Sequence, residues 1–173
     1  MAYNPNTDVM NELYLSRAYS YAASKSYDPS TQNAAILWHP VAGIVVQAAN
    51  GIPEKLTIPE EDIWQSKDKY LYVEHAERNV IYKAANRGVV TEGLTMYCPW
   101  ICCADCARAI IQAGIKRVIG HKDIIDMTPD RWKSTCGVGI QMLKDAGIQC
   151  GFWEGKVCKD NIRIRFNGEL ISP

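Results

Sequence analysis

A chain of 173 residues with 47% hydrophobic residues is long enough for one domain with a real core and short for two. Lysine plus arginine and aspartate plus glutamate both number 19, so no global field favours a polyanion. That balance argues against a grip on long nucleic acid and leaves room for a small anionic substrate.

No apolar run approaches the ~20 residues of a membrane span. The polar stretch from Met1 to Asn11 lacks the basic and apolar regions of a signal peptide, so no membrane role and a cytoplasmic location are expected. Seven cysteines, an odd number crowded around Cys98 to Cys106, suit a reducing compartment and a metal better than a disulfide framework.

In chain order, Val9, Leu13, Tyr14, Ala18, Tyr21 and Ala22 recur at mostly helical spacing and predict a helix from Val9 to Lys25, with Asp8 as its cap. Asp28-Pro29 lies beyond its end, because the residue before proline avoids the helical region. Ala34 to Trp38 and Ile44 to Ala49 flank His39-Pro40-Val41-Ala42-Gly43 and predict a hairpin in which His39 is a turn residue. Asn50-Gly51 then carries turn chemistry.

Pro53 to Lys69 is polar and predicts a long loop over the site, packed down by Trp64 and Tyr70. Glu77 to Arg87 predicts a second helix closed by Gly88, and Leu94 to Cys98 a strand that delivers the loop Pro99 to Cys102. Ala104 to Gln112 is a third helix ended by Gly114, and Ile115 to Gly120 a fourth strand.

The stretch His121 to Ser134 is polar. Val138, Ile140, Met142, Leu143 and Ala146 then predict a fourth helix, and Ile148 to Phe152 a short fifth strand. Ile162 to Ile171 alternates around Asn167-Gly168 as a further hairpin. Strands alternating with helices after an initial hairpin argue for an α/β fold with a mixed sheet and helices on both faces.

The chemistry concentrates in His75-Ala76-Glu77 and in Thr95 to Cys106 (TMYCPWICCADC). Cys103 and Cys106, three apart at the start of a helix, put two thiolates on one face. His75 and Glu77, two apart, would point nearly opposite ways in mid-helix, so they belong where a loop enters one. His75, Cys103 and Cys106 offer three N/S ligands to zinc and leave a fourth position open, where water becomes a nucleophile.

Two thiolates cancel the formal charge of the ion, which makes a local base useful, and Glu77 fits that role. A redox pair or half of a structural zinc site is the alternative for an isolated C-x-x-C. Trp100 is placed to wall a base pocket, and Glu74 is not expected to touch the metal. His121, Cys136, Cys150 and Cys158 fit no ligand pattern for a second zinc site, so packing cysteines are expected there.

H-x-E followed by P-C-x-x-C is the known signature of zinc deaminases. From Leu13 to about Gly151 the chain resembles the cytidine deaminase superfamily, and within it the deoxycytidylate (dCMP) deaminases, including those of phages. The resemblance is carried by Ser26-Tyr27-Asp28-Pro29-Ser30-Thr31-Gln32 (S-x-D-P-x-x-Q), Ala49-Asn50-Gly51-Ile52-Pro53 (similar to Y-N-G-x-P), His75-Ala76-Glu77 and the cysteine stretch. One departure is Cys102, which stands where the family has proline before the first ligand cysteine; only Cys103 has the C-x-x-C spacing to Cys106.

The resemblance implies a three-layer α/β/α sandwich with a five-stranded mixed sheet, formed as one zinc-dependent deaminase domain over 1–173 with 155–173 as a C-terminal extension. It implies Zn2+ and hydrolytic deamination of dCMP to dUMP with release of ammonia. In that reading Glu77 shuttles protons, the Ala76 backbone orients the base, Asn50 binds the sugar 3′-hydroxyl, and Lys25 with Ser26 holds the phosphate. It further implies a homohexamer activated by dCTP and inhibited by dTTP, with Mg2+ accompanying the triphosphate effector. The rival readings are a relative acting on adenosine in transfer RNA, on free cytosine or nucleosides, or on dCTP, and a non-catalytic zinc or nucleotide-binding module.

Overall fold

Apolar residues occupy consecutive positions of the central strands, which gives the sheet two faces to bury. A computed structural model describes residues 5–57, 59–157 and 162–173, so that Met1 to Asn4 of the polar N-terminus and Cys158 lie outside the described residues. The chain runs α1 (Pro5–Lys25), β1 (Ala34–His39), β2 (Gly43–Ala49), α2 (Glu60–Gln65), α3 (Lys69–Tyr72), α4 (Ala76–Asn86), β3 (Thr95–Tyr97) and α5 (Ala104–Gln112). It continues with β4 (Arg117–His121), α6 (Lys122–Asp126), α7 (Asp130–Asp145), β5 (Gln149–Trp153), β6 (Ile164–Phe166) and β7 (Glu169–Ile171).

Five strands form one sheet in the order β2-β1-β3-β4-β5, and β6 pairs with β7 in a separate ribbon. β1 is antiparallel to both β2 and β3, whereas β3, β4 and β5 are parallel, which makes the sheet mixed as expected. Side chains alternate between faces along each strand. Ala35, Leu37, Met96 and Val118 pack with Val80 and Ala84 of α4, Ala107 and Ile110 of α5 and Leu143 of α7. Ala34, Ile36, Tyr97 and Ile119 pack on the other side with Leu15, Ala18, Tyr19 and Ala22 of α1, and with Ile164 and Phe166 of the C-terminal ribbon. Those are the two outer layers of the sandwich. Among the described residues no helix is long and apolar enough to cross a membrane.

Three expectations need correcting. The stretch Pro53 to Lys69 is not a plain loop: it contains α2 and leads into α3, with Ile63 buried. A six-residue helix spans fewer than two turns, too short for a 3.6-residue period to register. The helix expected around Val138 to Ala146 starts earlier, as α7 at Asp130 behind Pro129, and the polar stretch before it contains the short α6. Finally, α1 starts at Pro5, so Asp8 lies in its first turn, where it still complements the helix dipole, and does not cap it.

The topology gathers one edge of the sheet. Ala34 pairs with Ala49 and Ile36 with Tyr97, so the start of β1, the end of β2 and the end of β3 meet there. Asn33, Asn50 and Cys98, each one residue beyond those ends, are therefore neighbours. A two-way backbone bridge between Gly51 and Glu74 (3.1 and 2.8 Å) brings the start of α4 to the same edge. In sheets with parallel strands, ligands are expected outside the carboxyl ends of those strands.

Candidate active site

His75 is the N-cap of α4, with φ −72° and ψ 150°, and Cys103 is the N-cap of α5, with φ −70° and ψ 169°. Both side chains thus leave the backbone where two helices start, and both helix dipoles turn their positive ends toward the thiolates. Glu77 falls in the first turn of α4, as its spacing from His75 requires. The start of α4 is pinned by Glu74, whose Oε1 accepts from the His75 backbone N–H (3.0 Å) and from Arg78 Nε. Arg78 also reaches Asp105 of α5 at 3.5 Å, tying the two helix starts together. Thr135 of α7 accepts from the Ala104 backbone N–H at 3.1 Å.

Three donor atoms converge. His75 Nδ1 lies 3.5 Å from both Cys103 Sγ and Cys106 Sγ, and the two sulfurs lie 3.5 Å apart. A tetrahedral zinc with Zn–S of about 2.3 Å and Zn–N of about 2.0 Å requires edges of roughly 3.6 to 3.8 Å, so the triangle fits the ion with little adjustment. Among the described residues no other group of three potential ligands stands this close.

The protonation states point the same way. Cys103 is pushed down to about 4, chiefly because its thiolate accepts from the Cys106 thiol and then, against its burial, from His75. Cys106 is pushed up, since it gives that hydrogen bond and is buried. The pair therefore holds one proton that a bound cation would displace. Burial opposes the charged form of His75, but the Cys103 bond and the Glu77 and Cys103 charges outweigh it and raise its pKa. Burial pushes the Glu77 carboxyl up to about 7, against the opposing pull of His75. A carboxyl poised there both accepts and returns a proton at neutral pH.

Above the triad lies a partly open cleft lined by the loop after α1, the starts of α3, α4 and α7, and the cysteine loop. One wall is aromatic. Trp132 meets His75, Trp100 and Tyr70 edge-on, with ring centroids 5.8, 6.3 and 5.7 Å away. Trp100 is fixed by a hydrogen bond from Nε1 to Thr128 Oγ1 (2.9 Å) and by Phe166 against its edge.

The opposite wall is a polar lattice. Asp28 Oδ1 accepts from Lys69 Nζ (2.7 Å) and from the Ser30 and Thr31 backbone N–H groups (2.8 and 3.2 Å). Asn50 Oδ1 accepts from Ser26 Oγ (2.7 Å) and the Asn33 N–H (2.8 Å), while its Nδ2 donates to Asp28 Oδ2 (3.2 Å) and Thr31 O (2.8 Å).

Of the residues singled out in the sequence, His75, Ala76, Glu77, Cys103, Asn50 and Trp100 line this cleft, and Cys106 completes the triangle beneath it. The amide of Asn50 has both lone pairs and both hydrogens committed inside the protein, so the structure makes it the hub of the lattice. Lys25 is exposed at the end of α1, Ser26 is buried against Asn50, and neither lines the cleft. Their placement lends no support to the phosphate role expected of them.

Lys69, Arg131 and Trp132, by contrast, all line it without having been singled out for ligand contact. The one signal for the last two was Pro129-Asp130 as a helix start. His121 and Cys150 stand apart from the triad, and with Cys136 they form no metal-holding group among the described residues. His121 is instead packed, taking a 2.6 Å hydrogen bond from Tyr19 and donating to Gly155 O at 2.9 Å, and burial lowers its pKa.

Residues 9–122 match the family described as the cytidine and deoxycytidylate deaminase zinc-binding region. Over 117 residues the chain is 36% identical to the deoxycytidylate deaminase of Mus musculus, covering 65% of this chain and 64% of that protein. Over 86 residues it is 37% identical to the deoxycytidylate deaminase of Enterobacteria phage T2, covering 50% of this chain and 39% of that one. It thus spans less than two thirds of the length of either relative. Its fold is similar to that of the dCMP deaminase from cyanophage S-TIM5, crystallised with dCMP and dUMP, with a TM-score of 0.61, 23% identity, and coverage of 87% of this chain and 99% of that one.

Proposed function

We propose, from the premise that this chain belongs to the cytidine and deoxycytidylate deaminase family, that it converts dCMP to dUMP and ammonia. The observation that carries the reading is the convergence of His75, Cys103 and Cys106 to mutual distances of 3.5 Å beside a buried Glu77. These three side chains are the ligands proposed for Zn2+. A zinc ion bound there supplies Lewis acidity, which makes a water molecule nucleophilic near neutral pH.

Glu77 takes a proton from the attacking water as its oxygen bonds to C4 of the base and delivers it to the ring nitrogen N3; it then carries the proton of the new C4 hydroxyl to the amine, which leaves as ammonia as the C4–N bond breaks and the carbonyl forms. The Ala76 N–H, at the first position of α4, has no intrahelical partner and is available to orient the base. Trp100 and Trp132 supply flat apolar walls that hold the base and limit water. A reducing compartment such as the cytoplasm suits the six free cysteines among the described residues.

Three finer features are carried by the family resemblance: control by dCTP and dTTP, Mg2+ accompanying such a triphosphate, and a homohexamer. An exposed groove between α4 and α5, with Tyr82 and Val90 at the surface, is the kind of apolar face an oligomer covers. Unchanged initial rates at subsaturating dCMP on addition of either triphosphate would count against that control.

A substrate panel tests the main reading. Ammonia release from dC, dCMP, dCTP, CMP and adenosine, with zinc content measured alongside, should be fastest with dCMP. Preference for adenosine, or no release from any of them by zinc-loaded protein, would overturn it.

A further inference from the structure

Both residues at issue, Arg131 and Asn167, lie outside the family-matched stretch 9–122. The turn joining β6 to β7 is Asn167-Gly168, with φ 51° and 89°, the left-handed pair that a tight hairpin needs and that asparagine and glycine supply at low cost. Its tip touches two sides of the cleft mouth. On one side the Asn167 N–H donates to Thr31 Oγ1 (3.1 Å) and the Gly168 N–H to Ser30 O (2.8 Å). On the other, Asn167 Oδ1 accepts from Arg131 Nη2 at 2.7 Å. Further along the ribbon, the backbone of Arg165 exchanges two bonds with Gln32, and Phe166 backs Trp100.

Charge singles out Arg131. Lys69, the other side-chain cation on the cleft wall besides His75, is consumed by Asp28 at 2.7 Å with both side chains nearly buried. Arg131 is exposed and paired with a neutral amide, so its charge remains available. It sits beside Trp132, whose ring meets His75, so the reacting end of a ligand and a cation at the rim share one wall. Thr31, which only accepts from Asn167, keeps its own hydroxyl proton to donate across the mouth.

We infer that the C-terminal ribbon is a substrate-selecting element of the cleft: Asn167 positions Arg131 at the mouth, where its guanidinium recognises the phosphate of the nucleotide. This rests on the deoxynucleotide reading above. A guanidinium takes a phosphate through two parallel hydrogen bonds, and each charge-assisted bond of this kind exceeds a neutral one.

The test is equilibrium binding of dUMP and deoxyuridine to zinc-loaded protein. Arg131→Ala should cut the dUMP over deoxyuridine preference by about tenfold or more. Arg131→Lys should restore part of it, because charge returns without the fork. Asn167→Gly keeps the turn while deleting the positioning amide, and should lower the preference by a smaller factor, read also as a rise in KM for dCMP at little changed kcat. Wild-type protein that binds neither ligand would refute the deoxynucleotide reading itself. Wild-type preference for dUMP that survives intact in Arg131→Ala would overturn the inference alone, whereas a wild type that binds the two alike would count against the deoxynucleotide reading as well.

Discussion

At the residue scale, two asparagine side chains show how polar groups hold a cleft wall together. Asn50 joins the loop after α1, the start of β1 and Asp28 through four hydrogen bonds. Replacing it by alanine leaves several of those partners unsatisfied, so Asn50→Ala should lower stability by about 2–4 kcal/mol, seen as an earlier urea midpoint. A mere sugar ligand would give a different result, a raised KM with an unmoved midpoint. Asn33 plays the matching role toward the cysteine loop, donating to Cys98 Sγ at 3.2 Å and to Trp100 O at 2.9 Å.

At the scale of elements, the helix starts make the centre and α7 holds it in place. A Cβ on Gly139 would sit 2.4 Å from Cys102 O and 2.8 Å from the carbonyl carbon of Cys103, so α7 approaches the cysteine loop as closely as it does because that residue has no side chain. Gly139→Ala should push the Cys103 backbone aside and weaken zinc retention roughly tenfold in a chelator competition. Retention equal to the wild type would show that the loop tolerates the shift.

The sequence foretold this part of the site because its signal is local. A tripeptide and a four-residue spacing at two helix starts specify ligand geometry without reference to the rest of the chain. The cations of the cleft carried no such signal: Lys69 meets Asp28 across 41 positions and Arg131 meets Asn167 across 36, convergences that only the folded chain makes. The α2 and α3 segments escaped for another reason, since six and four residues are too few to display a period.

At the scale of the whole molecule, the layer opposite α4, α5 and α7 is fastened through a buried histidine. His121, at the end of β4, links Tyr19 of α1 to Gly155 after β5, and burial lowers its pKa from the ordinary 6.5. The unfolded chain therefore takes up a proton near pH 6.5 that the folded chain resists, and stability falls as pH drops from there toward the lowered folded value. Denaturation midpoints at pH 7.5 and 5.5 should differ more for the wild type than for His121→Gln, which cannot titrate. Equal differences would dissociate His121 from the acid sensitivity.

The central claim is hydrolysis at the His75, Cys103 and Cys106 centre with Glu77 moving the protons. Its most direct test is ammonia release from dCMP by wild-type protein and Glu77→Gln, each shown to carry one zinc per chain. The wild type should turn over and the variant should lose at least about 10²-fold at unchanged zinc content. Comparable rates in the two proteins, or an inert wild type with its zinc in place, would contradict it.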